Sequence, residues 1–357
     1  MTRNFANRIG HSIEHGMDGG VFNTLSQYIL NKNNNWTGDG SLDFPSAVSP
    51  TTYTPGDGYT YVVLSSSSIF SVFDGAVEID YMIVAGGGCN GGVPQPDAVG
   101  GGGAGGFRSG TALIGPGLYI CTVGSGAPSS PGFNKPNGSP SSIESSKGFS
   151  LVSAGGGRGA SAEYPEAFAS YADERATVEA TSGGSGGGGA AGPISYTPQT
   201  VGAPGNVPAV DPPQGNAGGD GTEPAKGSGG GGGAGGAGGD ANAGAGGAGG
   251  VGRAYSFSYT ALPSDWGTPG PTASEPPTAR WFAGGGGGAS DFPGSHPAST
   301  TAGGAGGGGQ GDKYDPSSPP NAIATPGQVN TGGGGGGSSH NISCGGGSGI
   351  IIIRYST

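Results

Sequence analysis

The sequence predicts a mostly β protein: a small β-sandwich base, a glycine-rich bundle of polyglycine II helices, and a short helical segment at the start. Three observations predict this class. Glycine supplies 87 of the 357 residues, several times its average share. Most of it stands in blocks, while apolar runs of strand length lie mainly between Gly58 and Ala154 and again at the end. Only 32% of the residues are hydrophobic, which excludes a conventional core for the whole chain.

Residues 1–55 form the one region with helical signals. Apolar residues recur there with the spacing of an amphipathic helix, at Val21, Phe22, Leu25, Tyr28 and Ile29. A second short helix is predicted from Phe5 to His15. Because neither helix is long enough to be stable alone, we predict an attachment segment that folds against partner subunits. The other chains of a homo-oligomer, expected to be a trimer, are the alternative support.

The β base is predicted to comprise residues 56–85, 107–154 and 350–357. β-Branched and aromatic residues are concentrated there, and turn residues separate the runs. Six strands are predicted: Tyr59–Leu64, Ser68–Phe73, Val77–Ala85, Gly117–Val123, Phe149–Ala154 and Ile350–Tyr355. The last strand is a continuous apolar run, which favours a central or doubly covered position in a sheet.

The glycine bundle is predicted over residues 86–106 and 155–349. In its longest blocks the other residues recur at every third position, as Ala245, Ala248 and Val251 do. Three residues per turn is the period of polyproline II, which has no internal hydrogen bonds. Such helices pack only where neighbouring backbones come close enough to exchange hydrogen bonds, which glycine permits. Asp240–Ala243 is predicted to be the turn between two antiparallel helices.

The order of the blocks predicts which loops lie far from the β base. If successive blocks alternate outwards and back, the far end carries Val93–Val99, Ala160–Ser182, Asn206–Gln214, Asp240–Ala243, Ala289–Ala302 and Ser338–Cys344. The same alternation puts Arg253–Ala283 at the near end, packed on the base.

Composition and charge exclude several classes of function. The net charge of −11 and the scattered basic residues disfavour nucleic acid as a partner, because phosphate binding needs clustered Lys and Arg. No run approaches the ~20 apolar residues of a membrane-spanning helix, and Met1–Gly20 lacks the apolar stretch of a signal peptide. Three cysteines fit neither a disulfide framework nor a metal-binding spacing. We therefore expect synthesis in a cytoplasm and, for an extracellular role, release by lysis.

Four motifs resemble the glycine-rich domain of tailed-bacteriophage tail and fibre proteins: YMIVAGGG (Tyr81–Gly88), GGGGAGGFRSG (Gly100–Gly110), GLYICTVGSG (Gly117–Gly126) and GGGSGIIIIRY (Gly345–Tyr355). In that family an apolar strand enters a glycine block and the terminal strand ends in Arg-Tyr. The resemblance covers roughly Val77–Thr357. More loosely, the chain is similar to the glycine-rich tip adhesins of T-even-type phages, in which a polyglycine II bundle displays receptor-binding loops.

The resemblance implies a phage virion protein at a fibre or tail tip, which recognises a host surface receptor, either protein or glycan. It would be held to other tail or fibre subunits through residues 1–55. The alternative is a purely structural virion component, such as a head fibre or a tail decoration, without receptor binding. A depolymerase is the third reading, and no feature of the sequence favours it.

Aromatic residues between the glycine blocks either pack over the edges of the bundle or present a contact surface, and in the second case they are the candidate receptor contacts. Recognition surface concentrates in loops that a rigid scaffold displays, and polyglycine helices offer no side-chain core for these rings. The candidates lie in the two longest loops predicted at the far end: Tyr164, Phe168, Tyr171, Phe292 and His296.

Three further patterns match chemical sites only in part. The GxGxxG run at Gly86–Gly91 is followed by Val-Pro and not by the helix that a dinucleotide site needs. His11 and His15 have the i, i+4 spacing of zinc ligands but lack a third ligand. A loop cluster of acidic residues lacks the rigid frame that two catalytic carboxylates need: Glu163, Glu166, Asp173 and Glu174. We therefore expect no metal, no cofactor and no enzymatic activity.

Overall fold

In the computed structural model of the chain, the described residues are 42–43, 51–73, 75–92, 98–130, 135–161, 179–191, 201–222, 227–242, 245–255, 266–271, 279–290, 301–313, 324–339 and 342–356. These residues contain twelve strands, and none of them forms a helix with the length and hydropathy needed to cross a membrane. The two short helices predicted within residues 1–55 lie outside the described residues.

The strands, in chain order, are β1 (Leu42–Asp43), β2 (Thr51–Tyr53), β3 (Tyr59–Leu64), β4 (Ser68–Val72), β5 (Val77–Val84), β6 (Phe107–Ile114), β7 (Gly117–Thr122), β8 (Ser141–Ser145), β9 (Ser150–Ser153), β10 (Arg253–Ala254), β11 (Trp281–Phe282) and β12 (Ile350–Ser356). Ten of them make two five-stranded antiparallel sheets. Sheet 1 has the order β1-β4-β7-β8-β9, and sheet 2 has the order β2-β3-β12-β5-β6. β10 and β11 pair separately.

The two sheets pack face to face. One buried cluster combines Phe70, Cys121 and Ile143 of sheet 1 with Leu64, Ile83 and Ile353 of sheet 2. The Phe70 and Tyr119 rings stack within it, with centroids 4.9 Å apart. Apolar side chains that alternate along each strand therefore close a sandwich, and this sandwich is where the chain concentrates its apolar core.

The terminal strand has the central position that its apolar run predicts. β12 lies between β3 and β5, and Ile350 to Ile353 are at most 1% exposed. Ile351 and Ile353 face sheet 1, whereas Ile350 and Ile352 enter a second cluster on the other face of sheet 2. Because both faces of β12 are covered, four consecutive isoleucines are compatible with a single strand.

The six predicted strands are present, with ends shifted by at most one residue. The predicted strands do not include β6 and β8, nor the two-residue strands β10 and β11. β6 is an edge strand of sheet 2 whose middle residues are half-buried or exposed, so Ser109, Gly110 and Thr111 hide the alternation. β8 is short and mostly serine. Two further strands, β1 and β2, come from the predicted attachment segment and pair at sheet edges.

Between the sheets and their loops, the glycine segments form a lattice of backbone hydrogen bonds. In the segment Gly100–Gly106, every third N–H group donates to the same neighbouring segment. Gly100, Gly103 and Gly106 donate to Ala160, Gly157 and Ala154; Gly101 and Ala104 donate to Gly229 and Gly232; Gly102 and Gly105 donate to Gly335 and Gly332, all at 2.8–3.1 Å. One segment thus bonds to three neighbours, with a repeat of three residues.

Close approach of these backbones requires glycine. A methyl group built at Gly231 or at Gly334 would lie closer than 3.0 Å to the carbonyl oxygen of Gly102. Real side chains do not make such contacts, so neither position accepts a side chain without displacement of backbone.

The described residues of the loop Arg253–Ala283 include several that pack on the base, where the alternation of blocks predicted the loop. Its described residues Tyr255, Trp266 and Phe282 lie in the buried cluster on the outer face of sheet 2, together with Met82 and Ile352. The predicted turn at Asp240–Ala243 also coincides with a chain reversal, because Asn242 and Ala245 exchange both backbone hydrogen bonds, at 3.0 and 2.7 Å.

The prediction that Asn206–Gln214 lies far from the base is wrong. The N–H of Phe107 donates to the Gln214 carbonyl oxygen, and the N–H of Ala154 donates to Gln214 Oε1, both at 2.8 Å. This loop therefore lies beside the ends of β6 and β9. The alternation failed because the segment Ala180–Ser182, which contains no glycine, already runs back towards the sheets and was not counted. The N–H of Thr181 donates to Arg158 O.

Candidate functional site

The described segments that lead away from the sheets converge at one end of the molecule. Ala98, Ala191 and Ala289 form a buried cluster there; they flank the undescribed ranges 93–97, 192–200 and 291–300. These three residues lie far apart in the sequence, so the glycine lattice brings distant stems together.

Further stems join the same end through bridges and side chains. Ser290 makes β-bridges to Gly227 and to Lys313, and the N–H of Gly246 donates to Ser290 Oγ at 2.7 Å. We call this end the distal end, and we call the described residues that flank an undescribed range its stems. Nine ranges have their stems at the distal end: 93–97, 131–134, 162–178, 192–200, 223–226, 243–244, 291–300, 314–323 and 340–341.

The predicted contact residues belong to two of these nine ranges. Tyr164, Phe168 and Tyr171 fall in 162–178, Phe292 and His296 fall in 291–300, and all five lie outside the described residues. Their stems are described: Ser161 Oγ accepts the N–H of Gly92 at 2.7 Å, and Ser290 has the contacts given above. The two ranges therefore start from stems in the same hydrogen-bonded end.

A layer of buried polar side chains lies directly beneath the distal end. Ser228 is fully buried; its hydroxyl donates to Val99 O at 2.7 Å and accepts the Ala289 N–H at 2.6 Å. Asp312 is also fully buried and accepts hydrogen bonds from Ser338 Oγ at 2.9 Å and from the Ser339 N–H at 2.7 Å. Each of these groups ties the stem of one range to the stem of another.

Lys135 contributes an amine to this layer. Its Nζ donates to Asn90 Oδ1 at 3.1 Å, to Gly91 O at 2.9 Å and to Ser343 Oγ at 3.1 Å. The side chain is 5% exposed, and burial lowers the pKa of Lys135 below its usual value. The amine thus joins the stems of 93–97, 131–134 and 340–341.

The three cysteines are buried free thiols. Burial raises the pKa of Cys121 and of Cys344 to about 12, and it raises the pKa of Cys89. A thiol in such surroundings stays protonated at neutral pH and is a poor nucleophile and metal ligand. The described residues contain no group of three His, Cys, Asp or Glu side chains that could hold a metal ion.

The GxGxxG run is part of the lattice. The N–H groups of Gly86, Gly88 and Gly91 donate to carbonyl oxygens of Ser139, Gly103 and Gly100, so they are not directed at a phosphate. His11, His15 and the acidic cluster at Glu163–Glu174 lie outside the described residues.

Sequence reasoning missed the polar layer. Its members stand singly at the ends of glycine blocks, where Ser228 and Asp312 look like ordinary loop residues. The scarcity of basic residues was the one available signal, since the chain has only 13. Two of them, Lys135 and Arg158, are at most 5% exposed.

The comparison with known protein families agrees with this architecture. A family model described as a glycine-rich domain matches residues 63–356, which takes in sheet 2 from the end of β3, the whole glycine lattice and β12. No curated protein matches the sequence. The chain therefore belongs to the glycine-rich domain family.

Proposed function

We propose that this protein is a receptor-recognition module of a tailed-phage virion, at a fibre or tail tip. The observation that supports this proposal best is the gathering of nine loop stems at one end of a hydrogen-bonded scaffold. Rigid scaffolds that display many loops at one end are typical of recognition proteins, because the loops are free of packing duties. The resemblance of the four glycine-rich motifs to phage tail and fibre proteins agrees with it.

We infer that the glycine lattice is a polyglycine II bundle. The repeat of three residues in the hydrogen bonds of Gly100–Gly106 supports this assignment, because a helix with three residues per turn directs every third N–H group to the same neighbour. The intersegment bonds also supply what polyproline II lacks, namely partners for its backbone groups.

The proposed attachment segment, residues 1–55, would hold the module to other tail or fibre subunits or to further copies of this chain, with a trimer as the expected form. Its two described strands, β1 and β2, pair at edges of the sandwich, whereas the loop stems converge at the distal end. Attachment at one end and recognition at the other is the arrangement that a virion tip needs.

The contacts that we propose for the host receptor are Tyr164, Phe168, Tyr171, Phe292 and His296. Tyrosine and phenylalanine bury large areas with few rotatable bonds, which makes them effective anchors for a protein or a glycan. The proposal includes no catalysis, so release of soluble fragments from host surface glycans would contradict it.

The test is binding of the purified protein to a panel of bacterial cells, measured by co-sedimentation. One variant replaces 163–177 and 292–299 with Gly-Ser linkers. A control variant replaces 273–277, between two described segments whose Trp266 and Phe282 pack on sheet 2. We expect the first variant to lose binding and the control to keep it. Equal binding by all three proteins would refute the contact residues. No binding by the intact protein, together with its presence in virions, would favour the structural alternative.

A further inference from the structure

Lys135 and Asn90 meet inside the buried polar layer although 44 residues separate them in the sequence. Lys135 Nζ lies 3.1 Å from Asn90 Oδ1, and the two residues are 5% and 0% exposed. The hydrogen-bond acceptors around Nζ are an amide oxygen, a carbonyl oxygen and a hydroxyl; none of them is a carboxylate, among the described residues. A buried amine without a counter-ion favours its neutral form.

The surroundings direct this amine at the amide. A neutral amine keeps two N–H groups, and Gly91 O and Ser343 Oγ are placed to accept them, at 2.9 and 3.1 Å. The third direction around Nζ is that of Asn90 Oδ1, 3.1 Å away, so the lone pair of the neutral amine lies on the side of the carboxamide. Burial lowers the pKa of Lys135, and the titratable groups around it are Cys89, Cys344 and Arg158.

The carboxamide is held in place as an electrophile. Asn90 Oδ1 accepts the backbone N–H of Cys344 at 3.0 Å, and Asn90 Nδ2 donates to Ile342 O at 2.8 Å. An N–H group fixed on an amide oxygen stabilises the negative charge that develops there when a nucleophile adds to the carbon. The leaving nitrogen, Asn90 Nδ2, is held by its hydrogen bond to Ile342 O.

We propose that Lys135 and Asn90 condense to an intramolecular isopeptide bond. The Nζ lone pair forms the new bond to Asn90 Cγ, and the Cγ–Nδ2 bond breaks with its electron pair on nitrogen. One proton moves from Nζ to Nδ2, so the products are a neutral secondary amide and ammonia. No oxidant, reductant or cofactor takes part. Ser343 Oγ, which accepts from Nζ and donates to Ser130 O, is the positioned hydroxyl beside the reacting nitrogen.

The bond would cross-link the stems of 93–97 and 131–134. That part of the molecule is made of glycine and small polar residues, so it lacks the apolar core that stabilises the sandwich. A covalent link that closes a chain loop restricts the unfolded state and stabilises the folded one. The inference does not depend on the receptor role.

The test is the intact mass of the purified, fully denatured protein. We expect the mass to be about 17 Da below that of the sequence, the loss of one ammonia. Proteolysis should release one branched peptide that carries both Asn90 and Lys135. The Lys135→Met variant should have its full calculated mass. Lys147→Met is the matched control, because Lys147 is exposed; it should keep the deficit.

A succinimide at Asn90-Gly91 would also lose ammonia, and the variants separate the two reactions. A deficit that persists in Lys135→Met, or a full mass in the unmodified sequence, would overturn the proposal. The branched peptide of the unmodified protein is a second readout, and it does not depend on whether any variant folds. Its absence would also overturn the proposal.

Discussion

Replacement of Gly231 by alanine tests the glycine lattice at a crowded position. Gly231 packs against Gly102, whose N–H donates to Gly335 O and whose carbonyl oxygen accepts the Gly286 N–H, at 2.8 and 2.9 Å. An added methyl group would lie closer than 3.0 Å to the carbonyl oxygen of Gly102 and to the N atom of Gly103. These are backbone atoms in a fixed segment, so the clash cannot be relieved by rotation of a side chain.

The expected cost follows from two effects. Overpacking in a tight interior costs about 1–3 kcal/mol, and a shift of Gly102 weakens two hydrogen bonds worth about 0.5–1.5 kcal/mol each. Alanine restricts the unfolded chain more than glycine does, and this effect stabilises the folded state by about 0.4–1 kcal/mol. The net destabilisation is about 3 kcal/mol. With an unfolding entropy of about 2.1 cal/mol/K per residue, this is equivalent to a fall in Tm of roughly 4 °C for a chain of 357 residues.

Gly115→Ala is the matched control. No atom lies within 4 Å of a methyl group at Gly115, and the backbone there is not in the left-handed region. The Tm of the Gly115 variant should therefore change by no more than about 1 °C, within the range of neutral surface changes. Thermal unfolding followed by circular dichroism measures both variants. Gly334→Ala crowds the same Gly102 carbonyl oxygen, so the Gly231 and Gly334 changes should not be additive. Equal Tm values for the Gly231 and Gly115 variants would refute the lattice as the source of stability.

Four other outcomes are expected. Ile352→Ala should destabilise the protein by about 2–5 kcal/mol, because both faces of its strand are buried, whereas Ile120→Ala, at a residue 52% exposed, should cost less than about 1 kcal/mol; urea titration measures both. Arg354→Met should cost about 1 kcal/mol, since its ion pair with Asp80 is partly exposed and its guanidinium also stacks on Tyr59. The urea midpoint should fall as pH rises above 9, because an unfolded thiol ionises there while Cys121 and Cys344, with pKa values of about 12, stay protonated in the folded state; a midpoint independent of pH would contradict their burial. Deletion of residues 1–50, which keeps β2, should leave a folded protein that is absent from virions, as circular dichroism and particle purification would show.

The sandwich was largely predictable from the sequence because burial on one face imposes a period of two. Val77–Val84 and Gly117–Thr122 carry that alternation, and Ile350–Ile353 carry the continuous run of a doubly covered strand. β6 was not predictable in this way. An edge strand is exposed to solvent along one side and over much of its surface. Polar residues and glycine are therefore tolerated at positions where a central strand would need apolar residues.

Backbone hydrogen bonding between the glycine segments was predictable, but the route of the chain through the lattice was not. A period of three identifies segments that bond to several neighbours, yet any glycine segment can pair with any other. The segment Ala180–Ser182 runs back towards the sheets although it contains no glycine. The positions of the glycine blocks therefore do not identify every segment that crosses the lattice. Polar contacts such as that of Lys135 with Ser343 join residues about 200 positions apart, and no local pattern encodes such a contact.

The side chains within the glycine segments have a role that glycine cannot fill. A slip of three residues between two lattice segments would restore every backbone hydrogen bond, because each third N–H group faces the same neighbour. Backbone bonding alone therefore leaves the register of the segments undetermined. Ala104 and Ala234 are buried in the cluster against sheet 2, and Ser228 bonds to Val99 and Ala289 near the distal end. A slip would move these groups out of contact at both ends of the lattice, so a few alanines and buried polar residues select one register and, with it, the position of every loop stem.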